Sequence, residues 1–156
     1  MIKNFIPIIT TILFILINGI AYCDNEPSYD NTVNLIKETM YNSTSEVRKE
    51  SYDYIKFDKC SLNYNVIGAY PFDDIYNIKF VNIDFSSLNY QNSKVGHDYT
   101  AFIILNFKNG FRSKNSFKEI IIHTLVVNVS TDEKAQVLFN AFLHLGELCD
   151  APKSPL

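Results

Sequence analysis

Glu119-Ile-Ile-Ile-His-Thr-Leu-Val-Val-Asn-Val129 runs directly into Ser130-Thr-Asp-Glu133, after which Ala135, Leu138, Phe142, Leu145 and Cys149 recur at steps of three and four. The first stretch is β-branched and apolar and reads as a strand. The second carries an apolar stripe at helical spacing and reads as an amphipathic helix. A capping box fits the junction, with Ser130 and Glu133 satisfying each other's orphan backbone donors. The helix is expected to run to about Cys149 in spite of Gly146, which costs roughly 1 kcal/mol against Ala. A strand that passes straight into a closing helix makes this an α+β chain.

Working back from that junction, Tyr99 to Phe107 is apolar and β-rich, as a central strand should be. Lys108-Asn109-Gly110 follows it. Asn-Gly predicts a hairpin, because a type I′ turn demands positive φ at both central residues. Ser113 to Ser116 is a further polar break, and Gln91 to Asp98, polar with Gly96 inside it, predicts a loop. Ile75 to Phe85 alternates, but Ile83 and Phe85 follow a new phase beginning at Val81, which predicts a bulge there. Ser86 to Asn89 and Tyr70-Pro71 are turn signals. Tyr52, Tyr54, Leu62, Tyr64 and Val66 alternate with polar residues, as half-buried strands do. Ser28 caps a short helix to about Tyr41, with Tyr29, Val33, Ile36 and Met40 on one face. Its polar face lacks the Lys/Arg enrichment of an interfacial helix, so it is expected to pack on the β domain. Glu46 to Glu50 is charged and is expected to be an exposed run-in to the sheet.

The N-terminus sets the address. Lys3 precedes an apolar run from Phe5 to Ile17, and Gly19-Ile20-Ala21 supplies small residues two apart. That is the anatomy of a secretory signal peptide. The run is short for a membrane span, which needs about 20 apolar residues. The chain is therefore expected to be exported, to a periplasm or beyond the cell. The expected divisions are a signal peptide at 1–21, a polar spacer and short helix at 22–50, a single β domain with its closing helix at 51–150, and a flexible tail at 151–156. The formal net charge of −3 argues against broad nucleic-acid binding, which needs clustered cations against phosphate.

Export puts the three cysteines in an oxidising compartment. Cys60 opens a predicted strand and Cys149 ends the predicted helix. A bridge between them would pin helix to sheet and contribute about 2–4 kcal/mol by the chain-entropy model. Two buried free thiols are the alternative. Cys23, just after the leader, is a candidate for lipidation of the bacterial lipoprotein kind, and the only expected link to a membrane. Tyr22 before it departs from the small residue of that motif. Otherwise Cys23 is a thiol on an N-terminal arm.

The expected architecture is an antiparallel, strongly curled sheet or partly open barrel of about six or seven strands, capped by the C-terminal helix, with a short N-terminal helix. This layout resembles a pleckstrin-homology-like barrel. Phe57-Asp-Lys-Cys60-Ser-Leu62-Asn-Tyr64, Ile83-Asp-Phe85-Ser-Ser-Leu88 and the strand–Ser130–helix segment ending at Leu148-Cys149 look like small exported bacterial proteins of that general shape, mostly without assigned activity. The resemblance spans roughly Tyr52 to Cys149 and implies a fold only, since one fold hosts many functions.

No catalytic, cofactor or metal motif is legible. His97, His123 and His144 are not at metal-ligand spacing, and neither H-E-x-x-H nor C-x-x-C occurs. There is no G-x-S-x-G elbow, P-loop or dinucleotide glycine run. His123 reads as a satisfied core or sheet-surface histidine and His144 as solvent-facing. His97-Asp98 could form an acid–base pair, and Asp58 and Asp73-Asp74 read as turn carboxylates. Lys108, Arg112, Lys114 and Lys118 cluster beyond the Asn-Gly signal, as an interaction patch for an acidic partner or a lipid head group, or as an ordinary solvated hairpin tip. Asn42-Ser-Thr44 and Asn128-Val-Ser130 match the N-glycosylation sequon. These features lead first to an exported, non-enzymatic binding module, an inhibitor or immunity-type partner of another envelope protein. A carrier of an apolar or amphiphilic ligand, with Tyr and Phe lining a cavity, is the alternative, and a small hydrolase using His97-Asp98 or Asp73-Asp74 the third.

Overall fold

The computed structural model describes residues 27–44, 47–68 and 75–152. The leader, Cys23, Tyr70-Pro71, Asp73-Asp74 and the last four residues lie outside them.

The elements run α1 (Tyr29–Tyr41), β1 (Ser51–Asp58), β2 (Ser61–Gly68), β3 (Tyr76–Asp84), a 3₁₀ turn (Phe85–Ser87), β4 (Leu88–Asp98), β5 (Thr100–Lys114), β6 (Glu119–Val129) and α2 (Asp132–Leu148). Six antiparallel strands form one open sheet in the order β1-β2-β3-β5-β4, with β6 on the other side of β5. β5 holds the sheet together. Its first half pairs with β4 and β6, while Arg112 to Lys114 pair with β3 as well as β6. The fold class read from the sequence is what is seen: α+β, a curled unclosed sheet, a short N-terminal helix and a C-terminal helix.

The core lies between the inner sheet face and the helices. The stripe Ala135, Leu138, Phe142 and Leu145 is buried, as are Val33, Ile36 and Met40 of α1. Phe142 stacks on Phe85 with centroids 5.4 Å apart, and Phe85 meets Phe107 edge-on at 5.5 Å. Burying each such ring is worth about 1.5–3 kcal/mol. Ser28 caps α1 as expected, its hydroxyl accepting from the Asn31 amide. Gly146 stays in the helix because it lets Leu88 and Tyr90 approach. A Cβ there would stand 2.7 Å from the Tyr90 hydroxyl and 2.8 Å from Leu88 Cδ2.

Local signals misled where a long-range contact overruled them. Asn109-Gly110 does not reverse the chain. β5 continues to Lys114, and the segment forms a bulge between Asn106 and Phe111. No glycine among the described residues has positive φ. Gly110 instead admits the Ile121 side chain, whose Cγ2 would lie 2.4 Å from an added Cβ. The reversal falls at Asn115, whose side-chain oxygen accepts from the amides of Phe117 at 2.9 Å and Lys118 at 2.8 Å. Gln91 to Asp98 is not a loop but most of β4, paired with β5 from Lys94 to Asp98. Its polarity is that of an edge strand facing water on one side.

Smaller differences have similar causes. Thr131, not Ser130, caps α2, its hydroxyl accepting from the Lys134 amide at 3.2 Å. Asp132 and Glu133 in the first turn complement the helix dipole. Tyr54 leaves the core phase: it has φ 53° and is exposed, and Ile55 takes the buried place across a register shift. The bulge expected at Val81 is present, with Asn82 at φ 60° and its amide donating to Asn63 Oδ1. Cys60 sits in the β1–β2 turn rather than in a strand. The tail begins packed: Ala151 is buried and its amide donates to the Gly146 carbonyl.

Candidate functional site

Two polar regions stand out, one buried and one exposed. The buried one lies in the seam between β1 and β6, which do not pair as strands. The Tyr52 hydroxyl donates to the Asn128 carbonyl at 2.7 Å and accepts from the Asn128 amide at 2.8 Å. One phenol thus does for the β6 edge what a neighbouring strand would do. Glu50 completes the seam. Its carboxylate accepts from the Tyr76 hydroxyl at 2.5 Å and from Asn128 Nδ2 at 2.6 Å. Glu50 and Arg48 are half-buried, whereas Val47 and Lys49 are exposed as the run-in was expected to be. Burial and the Glu50 charge push the Tyr52 and Tyr76 hydroxyls well above the usual tyrosine range. Burial raises Tyr64 too, and its hydroxyl has no hydrogen-bond partner among the described residues. These phenols keep their protons at neutral pH. They can donate hydrogen bonds, and what they do here is join strands.

The exposed region is the β5–β6 tip and the outer sheet face beside it. Arg112 and Lys114 project from β5, and Glu119 reaches back to both, at 3.8 and 3.9 Å. Lys118 lies in the turn, and Lys108 is set back in the bulge. Of the expected patch, then, three residues gather at the tip and Lys108 stands apart in sequence and register. β3 adds a cation that sequence spacing could not place there: Lys79 lies directly opposite Lys114 across the β3–β5 ladder. Asn77, Lys79, Lys114, Asn115 and Ser116 line a cavity of about 290 Å³. Phe117 caps the tip and is 96% exposed. Ile75, just before β3, is 80% exposed, and Ile121 on β6 is 61% exposed.

The remaining candidates are dispersed. His97 pairs through Nδ1 with Asp132 of α2 at 2.7 Å, not with Asp98, because neighbours along a strand point to opposite faces. Both partners are largely exposed. His123 Nδ1 lies 3.3 Å from the Phe107 carbonyl, as a satisfied sheet histidine. His144 does not face solvent. Its ring lies between the Pro27 carbonyl, 2.8 Å from Nε2, and Glu147, 3.5 Å from Nδ1. Asp58 ends β1 at the surface. No group of three His, Cys, Asp or Glu among the described residues could hold a metal ion. Cys60 and Cys149 are placed as a disulfide pair with Cα atoms 5.7 Å apart, tying the β1–β2 turn to the end of α2. Asn42 caps the end of α1 in the open, whereas Asn128 is buried with its side-chain nitrogen held by Glu50. The inner-face aromatics pack on one another: Tyr64 on Phe80 at 5.1 Å and Phe107 on Phe111 at 5.5 Å.

No protein-family model, no curated protein and no solved structure matches this chain.

Proposed function

We propose that the protein is an exported, non-enzymatic binding module that engages another protein of the cell envelope through the β5–β6 tip, as an inhibitor or immunity-type partner. The observation that carries this reading is Phe117. Its ring is 96% exposed on a turn that the Asn115 side chain holds in shape. Single exposed apolar residues are common, but a large aromatic presented on an ordered turn is the kind of side chain that anchors an interface centre. Lys114 and Lys118 flank it as a polar rim. Export follows from the leader at 1–21 and accords with the Cys60–Cys149 pair, which suits an oxidising compartment.

The test is affinity capture from the envelope fraction of the source cells, with wild-type and Phe117→Ala proteins as bait. A partner held by the wild type and lost by the variant is expected. A bait that recovers no stable partner at native abundance, or one whose partner ignores the substitution, sinks the reading.

A further inference from the structure

We propose that Lys79 and Lys114 form the heart of an oxyanion site, taking the phosphate group of a phosphomonoester in the cavity between β3 and the β5–β6 tip. The two lysines are direct cross-strand partners on the outer face. Like charges directly opposite one another destabilise a sheet. Glu119 offsets Lys114 from the β6 side at 3.9 Å, but Lys79 has no ion-pair partner among the described residues. Among the described residues no acid lines the cavity, whose other walls are Asn77, Asn115 and Ser116.

The neutral walls point the same way. The Asn115 side-chain oxygen is already engaged by the Phe117 and Lys118 amides. What Asn115 has left to offer is its NH₂ group, a donor. Ser116 adds a hydroxyl, and the two ammonium groups add donors with charge. A ligand that satisfies this set needs several acceptor oxygens and more than one negative charge. A phosphate monoester carries three such oxygens and about −1.5 to −2 charges at neutral pH. At about 290 Å³ the cavity exceeds a bare phosphate, leaving room for the group that bears it. The site lies beside Phe117 but does not depend on the partner-protein reading.

The test is a titration of the whole mature protein with inorganic phosphate, followed by amide NMR at constant ionic strength. Saturable shifts are expected at Asn77, Lys79, Lys114 and Ser116, with none when chloride replaces phosphate. Lys79→Ala and Lys114→Ala should each weaken binding by about tenfold, the worth of one charge-assisted hydrogen bond. Lys94→Ala should leave it unchanged. Both lysines are exposed, so unaltered melting curves show that the variants fold. Phosphatidylcholine vesicles with and without phosphatidic acid separate the sources. Free phosphate saturating alone points to a soluble ester, and lysine-dependent binding only to the phosphatidic acid vesicles points to a lipid head group. No saturable response to either probe, equal response to chloride, or full binding by both lysine variants overturns the site.

Discussion

The seam between β1 and β6 and the tip joining β5 to β6 treat their side chains in opposite ways. In the seam, polar groups are buried and matched. Asn128 is 7% exposed, yet its amide, carbonyl and side chain all have partners in Tyr52 and Glu50. At the tip, apolar groups are exposed and cations face each other. A buried polar group left unmatched costs about 1–3 kcal/mol, so the seam can persist only because it is complete. Exposed Phe117 and paired lysines contribute little to folding, so their arrangement is free to serve something outside the chain. On the proposed reading, stability and recognition fall in separate parts of the fold.

The largest expected effect tests the buried side as a whole. Cys60 and Cys149 are 89 residues apart in sequence, so their bridge closes most of the β domain into one loop. Replacing both with Ala should cost about 2–5 kcal/mol, read as a lowered urea midpoint with a steeper slope, because the denatured chain without the cross-link exposes more surface. If the bridge were absent in the native protein, the wild type would unfold at the same midpoint with or without reductant. The tip, which shares no contact with the bridge, should keep its ligand affinity while the variant remains folded.

Tyr52→Phe is the next largest. The ring stays buried, but the amide and carbonyl of Asn128 lose their shared partner. A loss of about 1–3 kcal/mol is expected in chemical denaturation. Faster hydrogen exchange at the Asn128 amide would mark where the edge has opened, and unchanged exchange there would show that the seam is held by other means. Tyr64→Phe should act in the other direction. Its hydroxyl is buried beside Tyr52 with no partner among the described residues, so removing it should raise stability by about 1 kcal/mol. Two tyrosines with ring centroids 5.9 Å apart are thus expected to answer the same substitution with opposite signs. A destabilised Tyr64→Phe would mean that a bound water satisfies that hydroxyl.

The contrast between seam and tip also explains what could be read from the sequence. The switch from strand to helix after Val129, the stripe along α2 and the phase slip at Val81 are local periodicities, and all three appear as read. The Cys60–Cys149 pairing rested on Cys60 opening a strand and Cys149 ending a helix; the helix end is as read, and Cys60 lies in the turn just before β2. Asn109-Gly110 was misleading because its glycine answers to Ile121 on another strand. Gln91 to Asp98 hid a strand because an edge strand need not look apolar. Glu50 resembled an ordinary charged linker residue, and its partner Asn128 lies 78 residues away. Lys79 belonged to a different strand from the basic cluster until β3 paired with the end of β5. In both cases the side chain's role is defined by a neighbour that no local pattern announces.

Phe117→Ala gives the smallest expected change in stability and the sharpest contrast. The ring is almost wholly in water, and the turn that carries it is held by Asn115 and by the backbone bond from the Asn115 amide to the Lys118 carbonyl at 3.0 Å. No core contact is lost, so the denaturation midpoint should stay within about 0.5 kcal/mol of the wild type. Asn115→Ala is the informative companion. It removes the acceptor for the Phe117 and Lys118 amides and should loosen the turn while leaving the ring in place. If presentation matters, both variants lose partner binding although only Asn115→Ala raises amide exchange at Phe117 and Lys118. If Phe117→Ala instead costs as much as Tyr52→Phe, the tip is part of the folded core's support, and the division between a stabilising seam and a recognising tip fails.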